Sequence, residues 1–243
     1  MIDRYEDKAR YELKAWRSRM TKRPSFSSHI TKSFQTRVNN MIPDKVHHII
    51  TEAIKHMVKA VLIGSEFTTT KPLTYSLLED CEKLVYERIS YYKRTAAVSG
   101  AGTGAGGILL GLADFPILLS LKLKFLFDTA SLYGFDVRDY RERLYILYVF
   151  EMTFSSDERS KEVYRLLENW TLYVQKLPGN LDSFDWRTFQ QEYRDYIDLA
   201  KMLQLVPGIG AFVGAYANYK LMDKLGKSAI NAYRLRLLGN GRL

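Results

Sequence analysis

The sequence predicts an all-α fold: a single multi-helix domain with two glycine-rich, closely packed central helices and a basic amphipathic N-terminal arm. Three observations carry that prediction. Apolar residues recur at steps of three and four along almost the whole chain, the period of a helix with one buried face. No run alternates apolar and polar residues as a half-buried strand does. Nine of the 15 glycines fall in two nearly uncharged segments, 95–121 and 202–219. With 243 residues, 47% hydrophobic and 26% charged, the chain can bury a core and has the composition of a folded protein.

The elements follow in order. Ile2, Tyr5, Ala9, Leu13, Trp16 and Met20 form one helical stripe, and Phe26, Ile30, Phe34, Val38 and Met41 a second. Pro24 separates them, because proline breaks a continuing helix. Pro43 opens a third helix at a first-turn position, with Val46, Ile49, Ile50, Ala53, Met57 and Val61 inward. A helix over 72–93 turns Leu73, Leu77, Cys81, Leu84 and Val85 inward. The first glycine-rich segment leads to a helix over 115–133 that Gly134 stops, since glycine accepts the left-handed turn. Residues 137–154 form an unusually apolar helix, and Ser155 and Ser156 cap the next, which runs to about Lys176. Pro178 and Gly179 mark a loop, 185–203 a further amphipathic helix, and the last helix ends near Gly239. The domain reading is an arm over 1–43 followed by a helical domain over 44–243.

The glycine segments need a compensating reason, because each interior helix glycine costs up to ~1 kcal/mol against alanine. Gly100/Gly104, Gly102/Gly106, Gly107/Gly111 and Gly210/Gly214 are small-xxx-small pairs that let helix backbones approach closely. A tightly packed core pair is the favoured reading. A membrane-inserting hairpin competes, since Thr95–Ala113 is long enough to span. Against it stand the scarcity of large apolar side chains in 99–107 and the charge of Asp114. A phosphate loop is weakest, because no Walker lysine or preceding strand is present.

Charge is uneven. The formal net charge is +9, and residues 13–43 hold seven basic residues and no acidic one: Lys14, Arg17, Arg19, Lys22, Arg23, Lys32 and Arg37. With Trp16 among them, this end reads as a contact for an anionic surface. An equal alternative is a packed arm whose basic face is merely solvated. The single cysteine, Cys81, allows no internal disulfide, and the first residues form no apolar leader. The expected location is cytoplasmic, peripheral on the inner face of the cell membrane.

Two runs carry a family resemblance. One is Gly111-Leu-Ala-Asp114-Phe-Pro116 continuing through LLSLKLKFLFDTASLYGFD, and the other is LVPGIGAFVGAYANYKLMDKLGKSAINAYR. In this order they resemble the EcsC family over roughly 45–240. The resemblance implies a helical bacterial protein, often encoded beside the subunits of an ABC transporter, and no established activity. Its matching positions are Asp114, Pro116, Asp128, Tyr133, Gly134, Pro207, Gly210, Gly214, Asn218, Tyr219 and Asp223.

Several residues invite a chemical reading. Asp114 is a candidate functional carboxylate, but Asp-Phe-Pro is also a good helix start, which is favoured. Asp128 and Asp223 follow their glycine segments at similar distances, yet Lys124 and Lys227 stand four residues away as ordinary helix partners. Glu151 lies among apolar residues, where burial would raise its pKa. His48, Glu52 and His56 share a helix face without the HExxH pattern, so a solvated face is favoured over zinc. Cys81 reads as core. No catalytic residue, cofactor or metal site is assigned. The leading reading is a non-enzymatic accessory protein, partnered by an anionic membrane surface or a membrane-protein complex such as ABC transporter subunits. The alternative is an enzyme with a cleft lined by Asp114, Asp128, Glu151 and Asp223. Nucleic acid is the least supported partner, and the oligomeric state is open.

Overall fold

The structure, a computed structural model, describes residues 4–22, 56, 58–60, 62–64, 68–74, 77–104, 107–177, 184–193 and 210–239. Its elements are α1 (Arg4–Thr21), α2 (Leu78–Gly104), α3 (Gly107–Leu132), α4 (Tyr140–Phe154), α5 (Asp157–Glu168), α6 (Trp170–Val174) and α7 (Gly210–Gly239). Residues 58–60, 62–64 and 186–193 are helical as well, and no described residue lies in a strand. The sequence-predicted all-α class is the observed one.

α4 is the enclosed helix. The Asp139 side chain caps it by accepting from the Arg141 N–H, and every residue from 144 to 154 is buried. That is why its sequence is apolar on all sides rather than striped. Ser156 then caps α5 by accepting from the Arg159 N–H, while Ser155 closes α4. α5 stops at Glu168, short of Lys176, and α6 takes up the chain at Trp170.

Among the described residues, the most extensive helix–helix contact is between α2 and α7. They run antiparallel: Glu82 meets Arg234, the ring-free backbone at Gly226 meets Ile89, and Lys93 meets Asp223. α3 folds back on α2. The first glycine-rich segment is therefore divided between two helices, the end of α2 and the start of α3. The start of α7 carries Gly210 and Gly214. The described parts of both glycine-rich segments thus lie at one end of the α2–α7 pair.

A Cβ on Gly226 would stand 2.7 Å from Cδ1 and 2.8 Å from Cγ1 of Ile89. Ile89 is buried and β-branched, so it has few rotamers to retreat into. Gly226→Ala is expected to destabilise by about 1–2 kcal/mol: overpacking costs ~1–3 kcal/mol and the gain in helix propensity returns up to ~1. A urea melt checks it, and Ile89→Val in the same chain should recover part of the loss. Neutral or raised stability in the single variant would show that the helices separate freely here.

Three expectations are corrected. The helix read as starting at 115 begins at Gly107, so Asp114, Phe115 and Pro116 lie in its interior and Asp114 is not a cap. Local capping preferences yield here to the hairpin that α3 makes with α2. The helix read over 72–93 begins at Leu78 and continues to Gly104. Its inward face is also turned: Leu73, Leu77 and Leu84 are exposed, and Leu78, Cys81, Glu82, Val85, Ile89 and Tyr92 are buried. The third is the stop at Lys176, given above. Gly134 is as expected. Its φ is +83°, and Phe135 N–H donates to the Ala130 carbonyl across it at 3.0 Å, the six-to-one bond that closes a helix end.

The expected helices over 26–41 and 185–203 lie wholly or partly outside the described residues, as do Pro24, Pro43, His48, Glu52, Pro178, Gly179 and Pro207. Of the expected third helix, Val58 and Leu62 are described and buried in the core, and His56 is exposed. Among the described residues, no helix is long and apolar enough to cross a membrane.

Candidate anionic-surface site

The apolar stripe of α1 places its basic face. Ala9, Leu13 and Trp16 are buried in the same core cluster as α4 and α7. Trp16 is 8% exposed and meets Tyr164 edge to face at 5.4 Å. Its indole belongs to the core, not to a surface contact. α1 is further held by Tyr5 Oη donating to Glu82 Oε2 at 2.7 Å and by Arg10 Nη1 donating to the Leu238 carbonyl at 3.2 Å. The described part of the 1–43 segment therefore shares the core of the rest of the chain.

With the stripe inward, Lys14, Arg17, Arg19 and Lys22 are exposed. Arg17 is engaged, its Nη2 donating to Glu168 Oε1 at 2.6 Å. No acidic residue follows Glu12 on this helix. Arg23, Lys32 and Arg37 lie outside the described residues. The fold adds cations that the sequence reading did not attach to this end. Arg19 lines a cavity together with Lys224 and Lys227 of α7. Their separation of about two hundred positions in the chain hides the juxtaposition from any local reading of charge.

The candidate carboxylates are each tied to partners of their own. Asp128 accepts from Tyr92 Oη at 2.8 Å and pairs with Lys124. Asp223 pairs with Lys93 at 2.5 Å and Lys227 at 2.8 Å, and these lysines hold its carboxyl below the usual range against the opposing effect of burial. Both pairs with the lysine four residues away are those the spacing predicts. Glu151 is 2% exposed, and its Oε1 accepts from Arg159 Nε at 2.7 Å. Burial outweighs that pairing and raises Glu151 to about 7. No hydrogen bond or ion pair joins any two of Asp128, Glu151 and Asp223. Asp114, Pro116, Gly210 and Gly214 are placed by their backbone only, in α3 and α7. Asn218 is buried, and its Nδ2 donates no hydrogen bond to any described residue.

Sequence reasoning missed the strongest polar centre. Glu82, with no exposed surface, accepts two bonds of 2.6 Å from Arg234, one from Tyr5 and one of 3.1 Å from Tyr133. Arg234 also donates to Glu12 at 2.7 Å. A second such pair joins Arg236 to Glu142 at 2.5 and 2.8 Å, with the guanidinium 3.8 Å from the Phe135 ring. These centres lock α1, α2, α4 and α7 together. They explain two resemblance positions physically: Tyr133 completes the Glu82 cluster, and Gly134 supplies the turn after it.

Between α1 and α2 a groove of about 1030 Å³ opens, lined by Tyr5, Glu12, Tyr86, Tyr91, Arg94 and Arg234 among others. Two of these residues, Glu12 and Arg234, are paired with each other at 2.7 Å.

The EcsC protein family matches residues 7–238, which takes in most of α1 as well as the later helices. The chain is similar to Protein EcsC of Bacillus subtilis (strain 168), at 46% identity over 228 residues, covering 93% of this chain and 94% of that protein. It is also similar to the uncharacterized protein YdbA of the same organism, at 34% identity over 144 residues, covering 58% of this chain and 52% of that protein. No solved structure matches. With a match that begins within the first helix and ends within the last, the chain belongs to the EcsC protein family.

Proposed function

We propose that this protein is a non-enzymatic accessory protein that docks peripherally on the anionic inner face of the cell membrane, beside a membrane-protein complex such as an ABC transporter. The transporter neighbourhood is what the family resemblance implies. The docking reading is supported by one observation above all: α1 turns its apolar stripe into the core and leaves Lys14, Arg19 and Lys22 exposed on a stretch without an acidic residue. Each such cation near an anionic leaflet contributes about 1 kcal/mol. Three would raise partitioning by roughly a hundredfold, at ~1.4 kcal/mol per tenfold. The attachment is electrostatic, so it should weaken with salt as the screening length falls from ~10 Å at 0.1 M to ~3 Å at 1 M.

Flotation of the full chain with vesicles tests this. Retention is expected on vesicles containing phosphatidylglycerol and not on neutral phosphatidylcholine, with release at high salt. Lys14→Gln, Arg19→Gln and Lys22→Gln combined should remove most of the retention without lowering the melting temperature. Absence of retention on both lipids would overturn the reading.

A further inference from the structure

We propose that the cavity between the end of α1, the start of α5 and one face of α7 is a binding site for a phosphate-headed anion, with Lys224, Lys227 and Arg19 as its cationic ligands. The proposal rests on the reading of this end as the surface-facing one, and it names the headgroup chemistry that the surface would present.

The cavity has a volume of about 300 Å³, well above the ~30 Å³ share of one liquid water. Lys224, Lys227 and Ser228 line it from positions i, i+3 and i+4 of α7, which form one helix face. Arg19 enters from the last turn of α1. Asp157 is the one acidic residue among the described lining residues, and Asp223 orients Lys227 at 2.8 Å, so three cations meet two carboxylates. Lys224 is exposed as a residue, yet the atoms packed around it push its ammonium below the usual lysine range, against the favourable charge of Asp157. An anion in the cavity would act on this ammonium in the same sense as Asp157.

Trp16, Met20 and Met152 supply the apolar part of the lining. The volume leaves room for a glycerol unit beside a phosphate group, which a bare inorganic ion would not fill. The same ligands would serve a lipid headgroup or a soluble phosphomonoester.

The test uses the full chain and two probes: glycerol 3-phosphate in calorimetry, and vesicles carrying phosphatidic acid or phosphatidylglycerol at matched charge. The expected result is binding of glycerol 3-phosphate or preferential retention on phosphatidic acid. Lys224→Gln should weaken that binding by about tenfold, the loss of one charge-assisted bond. Arg19→Gln, on a different helix, should do the same. Lys14→Gln, outside the cavity, should leave glycerol 3-phosphate binding unchanged, and all three variants should melt as the parent does. Retention on phosphatidic acid alone identifies the lipid as the source of the phosphate. Binding of glycerol 3-phosphate without vesicle retention keeps the site and removes the surface reading. Equal retention on both anionic vesicles, with no glycerol 3-phosphate binding, overturns the site and leaves the surface reading standing. Phosphomonoester binding that survives Lys224→Gln combined with Lys227→Gln also overturns it.

Discussion

Replacing Arg234 with methionine is expected to cost the fold about 3–5 kcal/mol, the usual consequence of stranding one member of a buried ion pair. The reason is the position of Glu82. It has no exposed surface, and two of its four hydrogen bonds come from Arg234. Methionine fills comparable space but leaves a carboxylate held only by the Tyr5 and Tyr133 hydroxyls. Glu12 loses its bond from Arg234 as well, so α1 is loosened at its middle. At ~2–4 °C per kcal/mol for a chain of this size, the melting temperature should fall by roughly 10 °C. Thermal melting of the variant measures this, and limited proteolysis should show cleavage in α1 before the rest. Pairing Arg234→Met with Glu82→Leu should return a large part of the loss, because an apolar pair does not strand a charge. A single-variant cost below ~1 kcal/mol, in the range of exposed pairs, would show that Glu82 is solvated in solution.

The same cluster marks where the sequence stops being legible. Local signals carried most of the elements. The apolar stripe of α1, the Ser156 cap, the Gly134 stop and the end of α7 near Gly239 each depend on residues within one or two turns of each other. α2 fails that test, because a glutamate occupies one of its core positions. Reading only apolar residues as inward rotates the face toward Leu73, Leu77 and Leu84. Glu82 makes sense inside only beside Arg234, 152 positions later. Asp114-Phe-Pro116 fails in the opposite direction. Its capping chemistry is a sound local signal, but α3 is held along its length against α2 and runs through it. Gly226, outside both glycine-rich segments, is the glycine whose close approach is described, and nothing in its surroundings of Leu225 and Lys227 announces Ile89. The basic end was legible as charge, but its completion by Lys224 and Lys227 was not.

The residues that the family resemblance singles out are, where their side chains are described, mostly engaged in holding helices to one another. Tyr133 binds Glu82, Asp128 binds Tyr92, and Asp223 binds Lys93 and Lys227. Asp223 is committed to two cations, which hold its carboxyl below the usual range against the effect of burial.

Glu151 is the exception among the acids, and it predicts a pH-dependent stability. Its Oε2 is buried without a hydrogen-bond partner, while Oε1 is held by Arg159. Burial is the larger effect and sets the folded value at about 7, above the ordinary 4.5. Asp185 and Glu192 push in the same direction, and Arg159 opposes them. Tyr148, the nearest other titrating group on α4, stays protonated because burial raises it far above neutrality. A raised folded value means that the unfolded chain gives up the proton first. The contribution of Glu151 is therefore complete below about pH 4.5 and is lost as pH rises to about 7. At ~1.36 kcal/mol per unit, the loss is roughly 3 kcal/mol. Glutamine at this position cannot titrate, and Arg159 keeps Glu162 as a partner at 3.2 Å. Urea melts of the parent and Glu151→Gln at pH 5 and pH 8 should then show the variant gaining about 2–3 kcal/mol relative to the parent at the higher pH. Asp136 and Asp185, whose carboxyls are held below the usual range, act at more acid pH than this window. An unchanged difference between the two pH values would place Glu151 among the ordinary carboxylates and open its pocket to water.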